Sequence, residues 1–149
     1  MSSAMADYDQ DGDYDLFIGG RDGIIHVIPQ TSTGFSNLNA FEIENKYDAR
    51  YLHWADIDGD GALDLVVGND GKDRIYSFDG TTFQLVWEAS SSKKTNYLMT
   101  ADIDDDGDLD LIGSNMDKIF IIENEVVYPI QNEAESGFWS NIQIDWKLI

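Results

Sequence analysis

Three stretches of this chain follow one template: DYDQDGDYDLFIGG from Asp7, DIDGDGALDLVVGN from Asp56 and DIDDDGDLDLIGSN from Asp102. Their starts lie 49 and then 46 residues apart. Self-similarity at such a period means that one supersecondary unit is built repeatedly and stacked, because a single unit of this size cannot bury its apolar faces alone. Any fold assigned to the chain must therefore use the same unit three times.

The contents of the unit follow from its apolar runs. In the middle copy, runs at residues 51–56, 63–68, 74–78 and 83–88 are rich in β-branched and aromatic residues and are broken by NDGKD and DGTT, the pattern of four short strands joined by turns. The first copy continues with runs at 24–28 and 35–43, the third with runs at 118–123 and 126–130. No segment carries a convincing helical period. A four-stranded antiparallel unit recurring every 40 to 50 residues is the pattern of a β-propeller blade. The expected fold is all-β, with three four-stranded antiparallel blades in one domain spanning 1–149. The repeats fall at about 1–46, 47–93 and 94–134, with a further strand at 135–149.

The template itself concentrates acid. Asp56, Asp58 and Asp60 alternate along a tight loop, Gly61 permits the sharp turn, and Asp64 returns from the next strand, so their oxygens converge. The corresponding residues are Asp7, Asp9, Asp11, Asp13 and Asp15 in the first copy and Asp102, Asp104, Asp106, Asp108 and Asp110 in the third. Ala62 occupies the seventh loop position of the middle copy and has no side-chain oxygen, so a backbone carbonyl is the expected ligand there. A hard dication that takes six to eight oxygens in flexible geometry fits such loops, which points to calcium, about three ions per chain, rather than to magnesium. The loop resembles the first half of an EF-hand, but that motif needs a glutamate at position twelve. Ile18, Val67 and Gly113 stand there instead.

The formal charge of -20 repels phosphate backbones and anionic membrane surfaces and excludes nucleic acid as an expected partner. No apolar run reaches the roughly 18 residues of a membrane span, and the start MSSAMADYDQ lacks the basic flank and apolar core of a secretion signal. With no cysteine and two histidines, a zinc site is not expected. His26 and His53 read as structural. The pairs Glu42 and Glu44, Glu123 and Glu125, and Glu133 and Glu135 read as solvated charges rather than as paired catalytic carboxylates. Of the four tryptophans, Trp54 breaks the internal symmetry, its repeat equivalents being Met5 and Thr100. It is a candidate pocket residue, while Trp87, Trp139 and Trp146 read as packing residues. Ala6, Ala55 and Ala101 precede the three loops, either because strands crowd there or as ordinary filler. SSSKKT at residues 90–95 reads as a loop between blades.

The pattern Asp-x-Asp-x-Asp-Gly-x-x-Asp-Leu, followed by an apolar strand ending in Gly, resembles the FG-GAP or VCBS-type repeat of integrin-alpha-like β-propellers. In that family the acidic loop joins the first two strands of a blade and holds one calcium, and the aspartates named above are the implied ligands. The resemblance also implies an extracellular or periplasmic setting. The departures are the absence of a literal GAP tripeptide and the number of blades, since family propellers carry about seven. Three blades do not close a ring, whereas six do, so two chains related by a two-fold axis are expected to form one six-bladed propeller, with the chain itself as partner. An excised piece of a longer propeller is the alternative. The tail at 137–149 either completes a blade of the partner chain or packs on its own last blade. The expected function is a noncatalytic calcium-stabilised binding module for a protein or carbohydrate ligand. An enzyme on the same scaffold, acting on polysaccharide or a phosphorylated compound, stands as the alternative.

Overall fold

The computed structural model describes residues 1–124. Within them the chain forms three antiparallel sheets and no α-helix. The first sheet has the order β1 (Ser2–Ala6), β2 (Asp15–Gly19), β3 (Ile24–Ile28) and β4 (Phe41–Glu44), and the second the order β5 (Ala49–Ala55), β6 (Asp64–Asn69), β7 (Arg74–Phe78) and β8 (Phe83–Glu88). The third contains β9 (Tyr97–Ala101), β10 (Asp110–Ser114) and β11 (Ile119–Ile122). The arrangement is that of propeller blades: each sheet is a meander, and the first strands follow one another, β1 against β5 and β5 against β9.

Side-chain alternation explains why the sheets stack. On β6, Leu65 and Val67 point toward the first sheet, where they join Phe17, Ile25, Val27 and Ile43, whereas Val66 points toward the third, where it meets Leu98, Leu111 and Phe120. A strand covered on both faces reads as a continuous apolar run, and all six residues of β6 are buried. Each large side chain buried in these two cores contributes on the order of 1.5–3 kcal/mol. The outer strand β8 has one free edge and alternates little, with Leu85 and Val86 exposed.

The connections between sheets repeat as well. Ala49 N donates to Gly20 O and Thr95 N to Asn69 O, so each linker is stitched to the sheet before it. The Arg74 guanidinium lies over the Tyr47 ring at 5.0 Å, and the equivalent positions 46 residues on carry the same contact with the chemistry exchanged, Lys93 over Phe120 at 4.1 Å.

The structure corrects one strand. The run at 35–43 does not form one strand; a 3-10 turn at Asn37–Asn39, capped by the Ser36 side chain, intervenes, and β4 begins only at Phe41. Phe35 and Leu38 are exposed, Leu38 by 94%, so the apolar residues that suggested a longer strand face no core. The expected strands at 126–130 and 135–149, with Trp139, Trp146, Glu125, Glu133 and Glu135, lie outside the described residues. Trp54 fills the space between the first two sheets, edge-on to Phe17 with centroids 4.7 Å apart, rather than lining a pocket.

Candidate functional site

In all three sheets the acidic loop is the hairpin between the first and second strands. The alanine before each loop pairs across the ladder with the ninth-position aspartate: Ala6 with Asp15, Ala55 with Asp64, and Ala101 with Asp110. A small residue there leaves room beside a buried carboxylate, since Asp15, Asp64 and Asp110 are all buried.

The loop is shaped by its own carboxylates. At the first position, Asp7, Asp56 and Asp102 each accept a hydrogen bond through Oδ2 from the amide of the sixth-position glycine, Gly12, Gly61 or Gly107, at 3.0–3.1 Å. At the fifth, Asp11, Asp60 and Asp106 accept from the amide two residues on, that of Asp13, Ala62 and Asp108. At the ninth, Asp64 and Asp110 accept from the amides of Ile57 and Ile103, at 3.0 and 2.9 Å, which folds the loop back on its start. Asp15 instead accepts from Gln30 N at 2.8 Å, and Asp13 accepts from the Gln30 side chain at 3.3 Å.

These bonds leave oxygens directed inward. Asp7, Asp9 and Asp11 bring carboxylate oxygens within 4.8 Å of one another, as do Asp56, Asp58 and Asp64, and Asp102, Asp104 and Asp110. Asp13, Asp15, Asp60, Ala62, Asp106 and Asp108 belong to the same loops but lie outside these three sets. Asp7 Oδ1, Asp56 Oδ1 and Asp15 Oδ2 are buried and make no hydrogen bond. A buried carboxylate oxygen without a donor is costly unless a positive charge faces it. Burial, reinforced by Asp9, Asp11 and Asp7, pushes the Asp15 carboxyl up to about 6, and burial pushes Asp64 up to about 7, with Asp58 and Asp60 adding to it. Asp58 and Asp104 are raised for the same two reasons. The donor set is all oxygen and mostly anionic, which suits a hard dication.

The second loop position is a feature that the acid pattern obscured. Tyr8, between Asp7 and Asp9, is buried in the core between the first and second sheets, with ring centroids 4.8 Å from Phe78 and 5.3 Å from Phe83. Burial pushes its phenol up to about 12. Ile57 is buried in the same way between the second and third sheets. The signal was an uncharged apolar or aromatic residue between the first two aspartates of every copy.

The two histidines are held in place structurally. His53 Nε2 meets Thr100 Oγ1 at 3.1 Å, and His26 sits between Asp22 and Glu42 at 3.5 and 3.4 Å. A cleft of about 1050 Å³ runs between Trp87, Ser90 and Lys93 on one side and Lys118 and Phe120 on the other. It borders the outer edge of β11, beyond which the chain continues outside the described residues, and no ligand is assigned to it.

A family model described as an FG-GAP-like repeat matches residues 7–67 and again 56–113. Each match begins at the first aspartate of a loop. A search of curated proteins returns no match.

Proposed function

Because the chain belongs to the FG-GAP-like repeat family, we propose that it is a noncatalytic, calcium-stabilised β-propeller module. It binds a protein or carbohydrate ligand and is assembled from two copies. The observation that carries the metal reading is the pair of buried carboxylate oxygens, on Asp7 and Asp56 within the converging sets, that the protein itself leaves without a donor. The residues that would hold the ions are Asp7, Asp9 and Asp11 in the first loop, Asp56, Asp58 and Asp64 in the second, and Asp102, Asp104 and Asp110 in the third. Bound calcium supplies positive charge that cancels the mutual repulsion of these carboxylates.

The chain's own residues make the loops receptive. The sixth-position glycine amides fix the first aspartate, and in the second and third loops the ninth-position aspartate ties the loop to its start. Tyr8 and Ile57, at the second position of the first two loops, fasten each loop to the neighbouring blade as a plug. The ligand-binding part of the reading is supported by Tyr14 and Phe35, aromatic side chains exposed on the loops of the first blade, since a ring laid on a partner buries area at little entropic cost. Titrating chelated protein with calcium in a calorimeter, beside melting curves in each buffer, tests the metal reading. About three ions per chain and a higher melting temperature are expected. Heat-silent titration with unchanged melting would overturn it.

A further inference from the structure

Both internal junctions of the arc are built alike. A loop plug enters the neighbouring blade: Tyr8 packs on Phe78 and Phe83, and Ile57 joins Leu98, Leu111 and Phe120. The second junction also ties Ile57 O to Asn124 Nδ2 at 3.2 Å. The first strands add a contact beside each plug. Ala4 and Trp54 both pack on the first core, and His53 meets Thr100 across the second. The His53–Thr100 contact joins one repeat position on the leading blade to the next position along the strand on the following blade, and Ala4 and Trp54 stand at the same two positions beside the first core.

Among the described residues, the same positions at the two ends of the arc are partly exposed. Ile103, the third plug, is 41% exposed. Met99, equivalent to Ala4 and His53, is 37% exposed, and Met5, equivalent to Trp54 and Thr100, is 49% exposed. Ile119 is exposed as well, and Tyr97, though half exposed, lies against the Tyr51 ring of the second blade with centroids 4.8 Å apart. Met5 pairs with Leu16, and Leu16 with Ile28, giving an apolar row on the free face of the first blade. This row is the register equivalent of Trp54, Leu65 and Tyr76, which receive the first blade, and of Thr100, Leu111 and Ile122, which receive the second.

We propose that these two faces are the halves of one further junction, closed by a second copy of this chain, in which Met99 of one copy packs on Met5 of the other and Ile103 is the plug. The inference rests on the two-copy reading above and assigns its contact. The occupant follows from continuity with the internal junctions: among the described residues the third blade presents a leading face and the first a following face. Two copies about a two-fold axis satisfy both at once, and six blades lie within the range of closed propellers. His53 faces Thr100 at the second junction, and two flexible methionines fill the equivalent space at the closing junction.

The chain contains no cysteine, so engineered thiols report this contact without background. In calcium buffer, a Met5→Cys and Met99→Cys double variant is oxidised gently and run on a non-reducing gel, beside each single variant and an equimolar mixture of the two. A covalent species at twice the 16.8 kDa chain mass is expected from the double variant and from the mixture, and none from either single variant alone. Light scattering on the unaltered protein separates the possible failures. Twice the chain mass without the cross-link, or cross-linking of a single variant as strongly as the double, overturns the face assignment and leaves the two-copy reading standing. A mass of one chain overturns both. Melting curves of the variants matching the unaltered protein ensure that a missing link reports the contact and not misfolding.

Discussion

Within each loop, backbone conformation is as specific as charge. Gly12, Gly61 and Gly107 hold φ of 95, 90 and 99°, yet a Cβ added at any of them meets nothing within 4 Å. Glycine is needed there for the left-handed backbone alone, and Gly61→Ala should cost about 1 kcal/mol in a urea melt without disturbing the neighbouring strands. The fourth position is also left-handed in every copy, at Gln10, Gly59 and Asp105, with φ of 60, 72 and 62°. Gln10→Gly should therefore raise stability, by up to about 1 kcal/mol in the same assay, since it relieves the strain at the expense of a more flexible unfolded chain. The sixth position was legible because glycine itself stands there. The fourth was not, because Gln10 and Asp105 have side chains and the requirement is visible only as a dihedral angle.

Among the elements, strands were legible where a β-branched or aromatic run stands between turn residues. β3, β7 and β8 lie at the residues their apolar runs indicate, and β6 is displaced by one. β4 was not legible, because Phe35 and Leu38 supply apolar character to a segment whose course is set by the Ser36 cap. The plugs were visible in the sequence as a recurring residue type, but their role appears only once a second sheet is placed beside the loop. Removing one tests that role. Tyr8→Ala should lose about 3–5 kcal/mol in chemical denaturation, the usual scale for a large aromatic truncated in a core, and a loss under about 1 kcal/mol would mean that the loop is not anchored in the junction. The second junction adds a pH dependence. Burial holds the His53 imidazole below its ordinary 6.5, so the unfolded chain takes up a proton that the folded chain refuses. Stability is then complete above about pH 6.5 and is lost as pH falls below that value. His53→Gln should flatten this part of the stability profile, measured by melting between about pH 5 and 7.5, with the two proteins diverging most at the acid end.

For the whole molecule, repeat number and strand order follow from local patterns, whereas which face of one blade meets the next is displayed only by a placed set of sheets. Charge acts at the same scale. The formal -20 is spread over the whole chain, but each carboxylate set is compressed to within 4.8 Å, and these two distances respond differently to salt. The screening length falls from about 10 Å at 0.1 M to about 3 Å at 1 M, so sodium chloride weakens repulsion between loops but barely reaches inside a set. A bound dication acts inside the set, and each site filled to about 100 times its dissociation constant adds about 2.7 kcal/mol. Chelated protein should therefore gain only part of the calcium effect when sodium chloride is raised to about 1 M, and calcium-loaded protein should respond less to the same salt. Scanning calorimetry of both forms across that range is the measurement. If sodium chloride alone raised the chelated protein to the calcium-loaded melting temperature, the loops would be acting as diffuse charge rather than as sites. Selective rescue by calcium would instead assign the stability to the three convergent sets of carboxylates.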